Sequence, residues 1–208
     1  MKTINRISLL TLAFSFSILF PGCKKDFEKV KIQNHDENEM MTIMHDMMME
    51  MHMMTQTKDP DHDFAMMMKS HHQGAVKMAQ YELDNGEDAE MKAMAQKMKD
   101  MQQAEINELT TFLNSHNADT TVQEFTDKMM ASMEKMDKNS DLQVIIGEAD
   151  YDFASLMIPH HQSATEMAQA ELDHGTNQQM KDMAKKMIND QQKEIGELQD
   201  WLIKKKEY

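Results

Sequence analysis

What this chain has little of says most about it. It has one cysteine, Cys23, so no intramolecular disulfide can form and stability must come from packing. It has one arginine, Arg6. Without guanidinium forks, and with 36 acidic residues against 22 basic ones, it is poorly suited to nucleic acid or phosphate ligands. Aromatics make up only 6%, and no Gly-rich phosphate loop, Ser-His-Asp arrangement or strand-like alternation occurs. Methionine fills the space that Leu, Ile and Val usually take, with 27 in 208 residues. The formal net charge of −14 attracts cations, although acidity also serves solubility alone.

The first residues read as an export signal. Lys2 and Arg6 precede an apolar run, Ile7 to Phe20, that is too short to span a bilayer comfortably. It ends at Phe20-Pro21-Gly22-Cys23, where a small residue precedes a cysteine as in lipoprotein processing; Phe20 and Pro21 depart from the usual pattern. The expectation is a signal peptide over residues 1–22, lipid on Cys23, and a charged tether over 23–39. The mature chain then has no free thiol, and its net charge is 20 − 36 = −16 once Lys2 and Arg6 are removed. The lipid would be its one attachment to a membrane.

The remainder is one unit written twice, 89 positions apart. Asp63-Phe64-Ala65 leads to His71-His72-Gln73, and Asp152-Phe153-Ala154 leads to His160-His161-Gln162. The register holds to Leu113 and Leu202. It also reaches back, so that Met40, Met41, Met44 and Met47 align with Met129, Met130, Met133 and Met136. In each copy two runs of helical period flank a stop signal, Asn85-Gly86 or His174-Gly175. This predicts two antiparallel hairpins, in units 40–116 and 122–206, closing an all-α four-helix bundle. The Met-rich leaders would be additional helices or flexible arms.

Chemistry concentrates on the paired histidines. Neighbours on a helix point about 100° apart, so His71 and His72 can border one apolar stripe, with Met68 on the same side. His160, His161 and Met157 repeat this. Imidazole with thioether suits copper, above all Cu(I), with Ag(I) a second soft candidate. Folding a hairpin about Gly86 puts His71 and Gln102 at one height, so Met68, His71, His72, Met98, Gln102 and Glu105 should converge. Met157, His160, His161, Met187, Gln191 and Glu194 match them. Glu105 and Glu194 would be ligands or would orient liganding imidazoles, and Gln102 and Gln191 would stand behind. A His–Glu pair that only fixes helix register has the same pattern.

The leader differs from the hairpins. Met40, Met41, Met44, Met47, Met48, Met49, Met51, Met53 and Met54, with His45 and His52, cover every face of any helix they form. Such a helix must be buried or bound to something. Its place beside a tether favours a flexible segment that captures soft metal. Sacrificial methionine oxidation needs the same exposed thioethers. A di-iron enzyme needs Glu-x-x-His on paired helices; no such pair occurs, and no enzymatic activity is expected.

These residues resemble the domain of unknown function 305 family. The resemblance lies in Phe64…Met68-x-x-His71-His72-Gln73…Gln102-x-x-Glu105-Ile106…Phe112-Leu113 and in Phe153…Met157-x-x-His160-His161-Gln162…Gln191-x-x-Glu194-Ile195…Trp201-Leu202. Ser163 stands where the first copy has Gly74, and Phe112 where the second has Trp201. The resemblance implies a ferritin-like helical bundle exported from bacteria, with some Met-rich members associated with periplasmic copper resistance. The functional expectation is a copper-binding envelope lipoprotein, on the periplasmic or outer-membrane side. It would sequester copper or pass it to efflux or oxidase proteins. Self-association stays open. The other reading is a helical lipoprotein that binds partners without metal.

Overall fold

In the computed structural model, described over residues 31–205, the chain is six α-helices preceded by a 3-10 turn at His35–Glu37. Residues 1–22, Cys23 and the tether as far as residue 30 lie outside the described residues. No strand occurs among those described, and none of their helices is long and apolar enough to cross a membrane. Helices α2 (Pro60–Asn85) and α3 (Ala89–Ser115) form one hairpin; α5 (Ala149–His174) and α6 (Gln178–Lys205) form the other. The leaders are α1 (Glu39–Met53) and α4 (Gln123–Asp141).

Side-chain caps explain where several helices begin. Asn38, Asp59 and Asp88 each accept a hydrogen bond from a backbone N–H in the first turn that follows. Asn177 does the same for α6, accepting from Gln179 and Met180.

The hairpins pack with α2 antiparallel to α5. Asp61, in the first turn of α2, accepts from the backbone N–H groups of Thr176 (3.1 Å) and Asn177 (2.9 Å) beyond the end of α5. Asp150, 89 residues on, accepts from Glu87 and Asp88 at 3.0 Å each. The sequence repeat is therefore a near-twofold axis through the α2–α5 crossing. These reciprocal ties set the height at which the two helices meet.

The first leader is the additional helix expected of the fold. It is a folded helix, not a flexible arm: Met40, Met41, Met44, Met47, Met48 and Met51 are all buried against α2, α4 and α5. The buried methionines form one side of the helix, and Thr42, Asp46, Met49, Glu50, His52 and Met53 face outward. Met47 lies on Gly74, where any β-carbon would collide with the thioether. In the second copy Ser163 takes that place and meets Ser132 of α4, with hydroxyls 3.0 Å apart. The end of the tether is also fixed. Gln33 N–H donates to the Ile145 carbonyl (2.8 Å), and the buried Asn38 amide donates to Asp152 (2.8 Å).

Lys58 and Gly147, related by the repeat, both have left-handed backbone, with φ of 71° and 76°. Only glycine takes that conformation freely. Lys58→Gly should stabilise the fold by about 1 kcal/mol, raising the thermal midpoint by roughly 3 °C. Calorimetry checks it, and a lowered midpoint would contradict the strain.

The turn glycines serve a different purpose. Gly86 and Gly175 have φ of −67° and −65°, open to any residue. They are small because the carboxyls of Glu82 and Glu171 fold over them, where a β-carbon would collide. Both glutamates are fully buried and find no ordinary donor. Burial, together with the neighbouring Asp150 or Asp61, pushes each up to about 9. Each is then a protonated acid that bonds to an aspartate already held by backbone N–H groups. The folded chain keeps two protons that unfolded glutamate, at 4.5, releases. These two groups make stability fall as pH rises from about 4.5 to about 9 and level off above. Below about 6.5 the buried His71 and His160, depressed in the folded chain, offset the fall, so the net loss lies between about 6.5 and about 9. Glu82→Gln with Glu171→Gln keeps a neutral donor and removes this slope. At pH near 9 the double variant should exceed wild type by roughly 2 kcal/mol. Denaturant unfolding at both ends of the range tests it, and equal slopes would contradict it.

Candidate metal centre

The α2–α5 crossing carries all four paired histidines. His71 and His160 meet ring to ring, with centroids 3.8 Å apart at 38°. His72 lies 6.2 Å from His71, and His161 lies 5.8 Å from His160, on the outer sides. All four rings are fully buried. Burial, reinforced by the neighbouring imidazoles, holds His71 and His160 well below the ordinary imidazole range. Both are neutral rings at physiological pH.

The outer helices supply carboxylates at the height that the hairpin geometry requires. Glu105 of α3 accepts from His72 Nε2 at 2.9 Å, and Glu194 of α6 accepts from His161 Nε2 at 3.0 Å. Each carboxylate also meets a lysine of the opposite hairpin. Lys186 Nζ is 3.1 Å from Glu105 Oε1, and Lys97 Nζ is 3.5 Å from Glu194 Oε1. Burial pushes Glu105 up, but the bond from His72 and the Lys186 ammonium pull it further down, below its ordinary value. Glu105 therefore stays ionised.

Those bonds set the tautomers. With Nε2–H committed to a carboxylate, the neutral tautomers of His72 and His161 keep their lone pairs on Nδ1. His160 Nε2 donates to the His71 carbonyl at 3.0 Å, which leaves its Nδ1 free as well. The Nδ1 atoms of His72, His160 and His161 and both ring nitrogens of His71 have no hydrogen-bond partner. Gln102 has neither amide atom paired, and Gln191 Oε1 is likewise alone. A buried polar group without a partner costs about 1–3 kcal/mol, so a bound cation accepting these lone pairs would relieve that cost. The thioethers of Met68, Met157, Met98 and Met187 are buried in the same core.

This donor set fits a soft cation better than a hard one. Among the described residues, the His, Cys, Asp or Glu trio whose ligand atoms all lie within 4.8 Å is Asp59, Asp61 and His116, not the paired histidines. A metal at the crossing would be held by one or two imidazoles, with thioethers completing the shell, which suits Cu(I) or Ag(I). The Asp59 trio is already satisfied, since both aspartates accept from backbone N–H groups.

Of the residues expected to converge within each hairpin, the structure joins His72 to Glu105 and His161 to Glu194, and it brings the two copies together through His71 and His160. Met68, Met98, Met157, Met187, Gln102 and Gln191 are buried in the same bundle. The meeting of His71 with His160 had no local signal. Lys97 and Lys186 were not singled out, and Glu82 and Glu171 were missed although they sit in apolar stripes as Glu105 does. One Glu-x-x-His does occur, from Glu171 to His174. Its side chains diverge, with Glu171 beside Asp61 and His174 beside Lys128, and the first copy has Asn85 in place of the histidine. The capture set placed on the leader is dismantled by burial: Met40, Met44, Met47, Met48 and Met51 are core. His45 is partly exposed and bonds Asp141 at 3.1 Å, while His52 is exposed. Among the described residues the most exposed methionines are Met49 (58%) and Met53 (78%).

Fold and site define a class: a duplicated helical hairpin bundle with a buried histidine centre on its near-twofold axis. The model of the domain of unknown function family DUF305 matches residues 22–113 and 61–202, and the chain belongs to that family. No curated protein matches it. A DUF305 protein from Streptomyces coelicolor, whose description proposes that it is secreted, has a similar solved structure. Its TM-score is 0.57 at 23% identity over 72% of this chain and 95% of that one. A DUF305 fragment from Deinococcus radiodurans gives 0.52 at 20% identity over 70% and 96%. At these identities the likeness concerns the fold alone.

Proposed function

We propose that this protein is an exported, lipid-anchored, non-catalytic carrier of Cu(I), able also to take Ag(I), serving copper sequestration or transfer in the cell envelope. The observation that carries this reading is the set of unpartnered imidazole nitrogens at the α2–α5 crossing, with Glu105 and Glu194 fixing two of the rings. A carboxylate on the far nitrogen of an imidazole orients the ring and raises its basicity as a ligand. Burial keeps His71 and His160 unprotonated, so a cation need not displace protons from them. Thioethers are weak, exchangeable donors, as a protein that passes its cargo onward requires.

Competition of the reduced mature protein with a Cu(I) chelator tests this. Retention of Cu(I), lost when all four paired histidines become alanine, supports it; no binding sinks it. Met49 and Met53 favour a second reading as an oxidation sink. Dilute peroxide should convert these two to sulfoxide at least about tenfold faster than buried Met44 or Met68, as mass spectrometry would show. If that oxidation accompanies negligible Cu(I) binding, the second reading holds.

A further inference from the structure

The four histidines are sealed, so a cation needs a way in. Two clefts lie where α3 and α6 face each other, and the repeat relates them. One, of about 500 Å³, is bordered by Glu105, Glu108, Asp182, Met183 and Lys186. The other, of about 410 Å³, is bordered by Met94, Lys97 and Glu197, which are the repeat partners of Met183, Lys186 and Glu108. One thioether, one lysine and one acid thus recur at both.

Each cleft is linked to a buried imidazole by one carboxylate. Glu105, only 6% exposed, borders its cleft, meets Lys186 through Oε1 and holds His72 through Oε2. At the second cleft Glu194 lies behind Lys97, which borders the opening: it meets Lys97 at 3.5 Å and His161 at 3.0 Å, and Lys97 also meets Glu197 at 3.7 Å. The lysines are largely in solvent, with side chains 60% and 47% exposed, while their partner carboxylates are 8% and 4% exposed. An exposed ammonium leaves such a pair at little cost, but the buried carboxylate needs some cation beside it.

We propose that these clefts are two equivalent entry ports for a soft monovalent cation, and that Lys186 and Lys97 are their tethered plugs. The inference rests on the metal-binding reading above. The acidic rim concentrates cations and Met183 or Met94 selects soft ones. The incoming ion displaces the lysine ammonium at the carboxylate, one cation for another. The Glu105 and Glu194 side chains then stand between the port and the histidines. The lysines guard the route and contribute nothing to final affinity.

Lys186→Gln with Lys97→Gln tests the plugs, and Met183→Leu with Met94→Leu tests selection. Cu(I) delivered from a weak chelator should load at least about threefold faster into the lysine variant, and about threefold slower into the methionine variant. Equilibrium affinity should change less than about twofold in both. Metal-free protein gives an independent readout: diethylpyrocarbonate should modify His72 and His161 about threefold faster once the lysines are gone. Unchanged loading and unchanged modification, with affinity intact, overturn the ports alone and leave the metal centre standing. If wild type binds no Cu(I), both readings fall.

Discussion

Replacing His71 and His160 together by leucine should abolish Cu(I) binding at the centre while leaving the metal-free fold as stable as wild type or more so. This combination separates a ligand site from a structural histidine cluster. A structural histidine is held by its hydrogen bonds, and removing it usually costs stability. Here three of the four ring nitrogens of the central pair have no partner, and both rings are fully buried. The one bond they make ends on the His71 carbonyl. Leucine is close to histidine in volume and carries no orphaned polar atom. The metal-free double variant should therefore lie within about 1 kcal/mol of wild type or above it. A loss of several kcal/mol would mean that the imidazoles make contacts on which the fold depends.

The carboxylates should behave in the opposite way. Glu105→Ala with Glu194→Ala removes the partners of His72 and His161 and takes the buried carboxylates from Lys186 and Lys97, which keep only Asp190 and Glu197. Breaking a buried charged pair typically costs about 3–5 kcal/mol. The lysines are exposed and can rehydrate, so roughly 2–3 kcal/mol per site is expected, close to the net stability of many domains. Glutamine keeps an acceptor and should recover much of that stability. It should still lose about 10–100-fold in Cu(I) affinity, because a neutral amide orients the ring without strengthening it as a donor. Equal affinity for glutamine and glutamate would show that the pair only sets helix register.

Much of this arrangement was legible in the sequence, for identifiable reasons. Helical period and the turn glycines are local signals, and they defined both hairpins. Equal spacing about Gly86 put Glu105 near His72 because two antiparallel helices rise at one rate. The contact between His71 and His160 depends instead on how two hairpins dock. The ties that fix it, Asp61 to Thr176 and Asp150 to Asp88, join residues about 60 to 115 positions apart and follow no period. The leader's methionines were misread because a methionine-rich helix is compatible with either burial or capture, and only the packed partner decides. Glycine at 74, beneath Met47, was the local hint of a close helix approach. Glu82 and Glu171 were hidden because a glutamate near a helix end usually reaches solvent, and only the facing aspartate makes it a buried acid.

X-ray absorption at the copper edge of Cu(I)-loaded protein most directly tests the central claim, that the buried imidazoles and their neighbouring thioethers form one soft-metal centre. The expected spectrum contains both nitrogen and sulfur neighbours, and the nitrogen contribution disappears in the His71→Leu, His160→Leu variant. A spectrum with sulfur alone, unchanged by that substitution, would place the metal on methionines elsewhere and contradict the claim.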